Sequence, residues 1–223
     1  MKRNLNALLL VTVLLTLLSC GSNNSKTTAD SSAKEIAKEI ADMKSTVVSY
    51  QTTMQAEGIK SVITSKQWID IKNNRFASEM STETDMMGNK TKQNTIIVSA
   101  DGWECVLNPA DKTGVKTKSG GDDDESPLAQ LKSDDDQTFR QMIENEGGKI
   151  LGNETFLGKN CITVEMTIED QATKMWYYKG IPLKIENNSY SMEATSIEEN
   201  VSIPDSRFKI PSDYTINEIP GMP

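Results

Sequence analysis

From Thr46 onward the chain keeps a period of two. Val48, Tyr50, Thr52 and Met54 alternate with Val47, Ser49, Gln51 and Thr53, and the pattern returns after each short polar break. A helix repeats every 3.6 residues and cannot hold such a set on one face. The spacing therefore commits this region to strands with two distinct faces. Breaks fall at Glu57-Gly58, Asn73-Asn74 and Asp101-Gly102. Asp-Gly is a strong signal for a two-residue hairpin loop. Strands are expected over 59–71, 75–84, 95–100 and 103–108. In the first of these, Ile59, Ile63, Ile69 and Ile71 share one face, and Lys60, Val62, Lys66, Trp68 and Asp70 share the other. Strands recurring about every 10 residues, with turns between them, read as an antiparallel sandwich or barrel.

Two segments depart from this period. Ser32 and Glu35 have capping-box spacing, and Ile36, Ile40 and Met43 then fall on one face, which predicts a short helix. Residues 118–136 are dominated by Gly, Asp, Ser and Lys, and 118–133 read as a mobile, solvated loop. Ser133 and Asp136 can cap a helix starting near Asp134, with Phe139, Met142 and Ile143 as its apolar stripe and Gly147-Gly148 as its stop. Strands resume near Lys149 and continue to Ile219. With no internal repeat and no second composition class, residues 32–223 read as one domain.

The first residues carry an address. Lys2 and Arg3 precede an apolar run from Leu8 to Leu18. A bilayer span needs roughly 20 apolar residues, so this run fits a secretory signal over 1–19 instead. Leu17-Leu18-Ser19-Cys20-Gly21 resembles the bacterial lipobox. The resemblance implies that Cys20 is acylated and begins the mature chain, with 20–31 as anchor and flexible tether. The plain alternative is an ordinary signal with a chance cysteine. Gly-Ser-Asn-Asn-Ser follows Cys20, without an aspartate at the second position. By resemblance to known sorting patterns, that suggests the outer membrane with the domain facing the periplasm.

Composition narrows the chemistry. The chain has no histidine, which removes Ser-His-Asp and Cys-His nucleophile pairs, most zinc sites and the commonest general acid-base group. Ser31 to Lys34 and Lys112-Thr113-Gly114 match short β-lactamase-type motifs, but the first lies where tether meets short helix, not in a large helical domain. The formal charge of −8 would repel phosphate backbones, so nucleic acid is not an expected partner. Asp122-Asp123-Asp124-Glu125 and Asp134-Asp135-Asp136 do not fit the calcium-loop pattern, so no metal and no cofactor is expected. Cys105 and Cys161 can pair in an oxidising compartment, but strand alternation alone does not set their distance.

Residues 175–186, "MWYYKGIPLKIE", followed by "IPDSRFKIPSDYTI", resemble the end of the Lol-type lipoprotein carriers. A strand ending in aromatics turns through Lys179-Gly180. A Pro-Leu-Lys strand returns, and a closing segment carries Phe208, Ile210, Pro211 and Tyr214. The resemblance implies a mainly β (α+β) fold: a curved antiparallel, incompletely closed β-barrel with a few short helices on its concave side. It implies a hollow that shields acyl chains from water. Period-two positions nominate Val48, Tyr50, Ile63, Ile69, Phe76, Met80, Trp103 and Leu107 as its lining, with Phe139 and Met142 on the covering helix. The expected function is a membrane-anchored, non-enzymatic envelope lipoprotein that binds an acyl chain or other apolar ligand. Its partners are then the membrane, through the lipid on Cys20, and that ligand. The alternative is an envelope sensor or protein-interaction module with a filled interior. An enzyme is disfavoured by the missing histidines, and the oligomeric state is not set.

Overall fold

The computed structural model describes residues 43–118, 143–168 and 170–219. The helix expected to begin at Ser32 and most of the loop expected over 118–133 lie outside the described residues. Twelve strands follow in order: β1 (Ser45–Ala56), β2 (Ile59–Asp70), β3 (Arg75–Met86), β4 (Asn89–Ala100), β5 (Trp103–Asn108), β6 (Thr113–Lys118), β7 (Lys149–Phe156), β8 (Lys159–Ile168), β9 (Gln171–Tyr178), β10 (Ile181–Glu186), β11 (Tyr190–Glu199) and β12 (Thr215–Ile219). They form a single curved, unclosed sheet in the order β12-β6-β5-β4-β3-β2-β1-β11-β10-β9-β8-β7. All pairings are antiparallel except that of β12 with β6. Two meanders, β1–β6 and β7–β11, are joined where β1 lies against β11.

Turn chemistry explains the hairpins. Asp101 and Gly102 both take positive φ, 54° and 75°, as a two-residue primed turn requires. Lys179 and Gly180 do the same at 49° and 75°. Met87-Gly88 and Leu157-Gly158 also turn this way. The first residue of each is not a usual turn former, so local composition does not announce these hairpins. The strand expected over 75–84 runs on to Met86. Its partner starts at Asn89 rather than near 95, because the exposed Asn-Lys-Thr-Lys-Gln-Asn stretch pairs residue by residue with β3. Backbone pairing there does not need apolar alternation.

Each face of the sheet buries something different. The main-core face carries Val48 and Tyr50 of β1 and Ile69 of β2. These pack with Met43, Ile71, Met175, Leu183, Ile185, Met192 and Ala194. A bulge at Pro182–Lys184 interrupts strict alternation, and the consecutive residues Met175 and Trp176 are both buried. Beside this core, Ile143 packs on Ile162 and Val164. The opposite face is covered by the chain after β11. There Phe208, Val201 and Ile203 pack on Val47, Trp68 and Ala77, and Ile210, Tyr214 and Ile216 pack on Val98, Cys105 and Leu107. This strap contains a short 3-10 helix, Asp205–Phe208, so the described helical piece between β11 and β12 lies away from the main core.

Charged groups fasten the strap. Arg75 donates to Asp70 at 2.6 Å and to Asp205 at 2.9 Å, and its guanidinium lies 4.4 Å from the Phe208 ring centre. Arg207 donates to Glu79 at 2.6 Å and lies 4.4 Å over Trp68. Burial works against the Asp70 carboxylate, but hydrogen bonds from Asn73 and Arg75 hold it below the usual carboxylate range. Planar guanidinium suits this double role of fork and stacking plate.

Cys105 and Cys161 are free and buried in separate clusters, β5 under the strap and β8 in the main core. The strap's final strand approaches β6 closely at Gly114. A β-carbon there would meet Leu107 Cδ2 at 2.5 Å and Ile216 Cδ1 at 2.9 Å. Gly114→Ala is expected to destabilise the protein by about 1–3 kcal/mol through overpacking. Urea denaturation checks this, and an unchanged midpoint would show that β12 is not held so tightly.

Candidate functional site

Strand register decides which nominated residues share a face. Ile69 pairs with Phe76, Ser65 with Met80 and with Tyr50, and Ile63 with Thr52. Directly opposed residues share a face. Val48, Tyr50, Ile63, Ile69, Phe76 and Met80 therefore lie together on the main-core face. Trp103 and Leu107 do not join them. Val47 pairs with Trp68, Trp68 with Ala77, Ala77 with Val98 and Val98 with Cys105, which carries the other face into β5. Leu107 is buried beneath the strap, and Trp103 stacks under Lys116, whose Nζ is 3.9 Å from its ring centre. Phe139 and Met142 lie outside the described residues, as does Cys20.

The error at β5 has a physical cause. Trp103, Cys105 and Leu107 are the more apolar set on that strand, so alternation alone assigns them to the same interior as β1–β3. The two-residue loop at Asp101-Gly102 pairs Ala100 with Trp103 and puts Glu104 and Val106 on the main-core face instead. Cys105 and Leu107 are buried by the strap, with Trp103 half-buried on the same face, and strand alternation gives no signal for this second cover.

On the main-core face a row crosses the first meander in register: Gln67, Ser78, Ile97, Val106 and Val115. Its first members are covered, with Ser78 buried. Its last members emerge, with Val106 41% and Val115 38% exposed. Phe76 packs against the main core from the same face, and Met80 is half-buried. The apolar surface thus runs from a filled core under β1, β2 and β9–β11 to an open shelf on β4–β6.

A separate charged cluster closes one end of the main core. Glu199 ends β11, in register with Thr46 at the start of β1. Lys159 opens β8, and Tyr178 and Lys179 lead into the β9–β10 turn. Lys159 Nζ is 2.5 Å from Glu199 Oε1, and Lys179 Nζ is 2.8 Å from Oε2. The Tyr178 hydroxyl donates to the same carboxylate at 3.1 Å. Both ammonium groups also flank the Tyr178 ring, at 5.0 and 5.2 Å from its centre. Burial pushes the Glu199 carboxyl up, but its three donors outweigh that and hold it at about 2. In the sequence Lys179-Gly180 reads only as a turn, because the partners come from three distant strands.

Among the described residues, no group of three or more Cys, Asp or Glu side chains is placed to hold a metal ion. A shallow pocket of about 420 Å³ lies along β3 and β4, lined by groups including Lys66, Glu79, Ser81, Asn94, Ile96 and Pro109. Its lining is mixed and it opens broadly to solvent.

The folded Glu199 carboxyl sits below its ordinary value of 4.5. Its contribution is therefore complete above about pH 4.5 and is lost as pH falls toward 2. The full shift corresponds to on the order of 3 kcal/mol. Urea denaturation at pH 6 and pH 3 should show the wild type losing more stability than Glu199→Gln. Equal losses would remove Glu199 from the acid response.

No protein-family model and no curated protein sequence matches the chain. Solved structures do align with it. An uncharacterized conserved protein from Thermus thermophilus aligns with a TM-score of 0.53 at 8% identity, over 84% of this chain and 99% of that one. LprF from Mycobacterium bovis aligns at 0.35 and 12% identity, over 84% and 100% of the two chains. A putative outer membrane lipoprotein-sorting protein domain from Vibrio parahaemolyticus aligns at 0.27 and 11%, over 79% and 97%. Identities this low bear on architecture alone, and of these three the Thermus protein is the one whose score speaks for a shared fold.

Proposed function

We propose that this chain is a membrane-anchored, non-enzymatic lipoprotein of the bacterial envelope, whose main-core face shelters an acyl chain or other apolar ligand. In this reading Cys20 carries the lipid, residues 20–31 form the tether, and the β domain faces the periplasm from the outer membrane. The observation that carries the reading is the apolar shelf. Ile97, Val106 and Val115 continue the buried face of β1–β3 into partly exposed surface, without a charged side chain in their row.

The magnitude is adequate. Full burial gains about 0.8 kcal/mol per methylene, and a shelf covers about half of a chain's surface. Sixteen carbons then gain on the order of 6 kcal/mol, a dissociation constant of tens of micromolar. Deeper shelter would tighten this.

The full-length chain carrying Cys20→Ser, freed of detergent, should bind an environment-sensitive fatty-acid probe saturably. It should also retain lipid in native mass spectrometry. Val106→Asp should weaken probe binding at least fivefold, while changing stability by less than about 0.5 kcal/mol, as befits a half-exposed site. A second reading, an interaction module, draws on the filled core: Met43, Val48 and Leu183 are wholly buried among their neighbours. A folded chain that arrives empty and ignores every apolar probe would favour that reading.

The anchor is tested separately. Cys20→Ser should release the protein from membranes or leave an unprocessed precursor. Intact-mass measurement of the native protein should show acylation at Cys20, and an unmodified N-terminus elsewhere would refute it.

A further inference from the structure

The cluster of Lys159, Lys179, Tyr178 and Glu199 has more positive charge than it neutralises. Two ammonium groups share one carboxylate, so the group as a whole is cationic. The three charged side chains are 29%, 19% and 16% exposed respectively for Lys159, Lys179 and Glu199, so solvent compensates the excess only in part. The carboxylate is also saturated: each oxygen accepts one ammonium, and the tyrosine hydroxyl reaches both. Each ammonium has three donors; among the described residues Glu199 is its one carboxylate partner, and Lys179 also hydrogen-bonds the Tyr178 side chain, which leaves a donor over on each. A partly desolvated cation that keeps unused donors favours an anion.

Position makes this useful. Tyr178 packs on the main core, and Glu199 sits beside Thr46 and two residues from Ile197, which packs on the same core. The start of β8, the β9–β10 turn and the end of β11 meet there, at the filled end of the apolar face and across β1–β3 from the open shelf. We propose that Lys159 and Lys179 form a seat for an anionic group, a carboxylate or a phosphate, at that end of the sheet. Tyr178 and Glu199 hold the two ammonium groups apart and aimed at it. The inference rests on the acyl-chain reading for the ligand's tail, but the seat itself depends only on the four side chains.

A purely structural tie and an anion seat predict opposite results at Glu199. In a tie, removing the carboxylate weakens everything. In a seat, it leaves two uncompensated ammonium groups and strengthens anion binding. The full-length chain carrying Cys20→Ser is titrated with a fluorescent twelve-carbon fatty acid, with its methyl ester, and with inorganic phosphate. The wild type should prefer the acid to the ester by about tenfold, the scale of one charge-assisted hydrogen bond. Lys159→Gln and Lys179→Gln should each erase most of that preference while leaving ester affinity unchanged. Glu199→Gln should increase affinity for acid and phosphate severalfold. Should that variant fail to fold, the two lysine variants carry the test.

The arms separate the possible failures. Saturable phosphate binding that is lost in the lysine variants, with neither acid nor ester bound, keeps the seat and rejects the acyl-chain reading. Acid and ester binding alike, with no phosphate binding, keeps the acyl-chain reading and overturns the seat. Loss of acid binding in Glu199→Gln with its fold intact also overturns the seat.

Discussion

Everything in this molecule depends on the pairing of β1 with β11. Nine residue pairs, from Thr46–Glu199 to Met54–Tyr190, join segments that lie far apart in the sequence. Without that ladder, β1–β6 and β7–β11 are two meanders, each exposing an edge. With it, the apolar face of β1 and β2 meets that of β9–β11, and one core forms from both halves. Such long-range pairing incurs its loop-closure entropy before the contacts repay it, so a folding nucleus here is costly. The bulge at Ser49–Tyr50 lies in this ladder, where a local increase in twist helps the joined sheet curve.

A joined sheet still has two faces, and a sheet that stays open must cover both. The main-core face is filled by residues of the strands themselves near the β1–β11 seam. The other face of the first meander is covered by the strap, from Val201 to Ile216. Guanidinium groups do much of the fastening, since Arg75 and Arg207 each combine a carboxylate fork with an aromatic plate. Covering one face with the strap leaves the main-core face of β4–β6 as the partly open surface. The proposed function is therefore tied to what the strap does not cover.

The charged end and the apolar shelf are different kinds of surface on one frame. The shelf offers area without direction, while the lysine pair offers direction with little area. They lie on different strands, the shelf on β4–β6 and the lysine pair at β8 and the β9–β10 turn, with β1–β3 between them. The absence of histidine leaves ammonium, guanidinium, hydroxyl, amide and carboxylate groups as the polar side chains from which such a site can be built.

Much of the architecture was legible from local chemistry. Period-two alternation and Gly-containing turns placed β1, β2, β5 and the Asp101-Gly102 and Lys179-Gly180 hairpins, because side chains alternate strictly along a strand and φ > 0 favours glycine. Six of the nominated residues share the main-core face for the same reason: within β1, β2 and β3 one face is plainly the more apolar. Periodicity is silent on phase between strands, and phase assigned Trp103 and Leu107 to the strap side. It is equally silent on Lys159, Lys179 and Glu199, whose meeting needs three strands in register. What the sequence by itself determined was that strands would form and which residues would alternate, since both follow from neighbours a few bonds away. What only the tertiary structure decided was which apolar set each cover would bury and where charges would converge, since those depend on pairings between residues far apart in the chain.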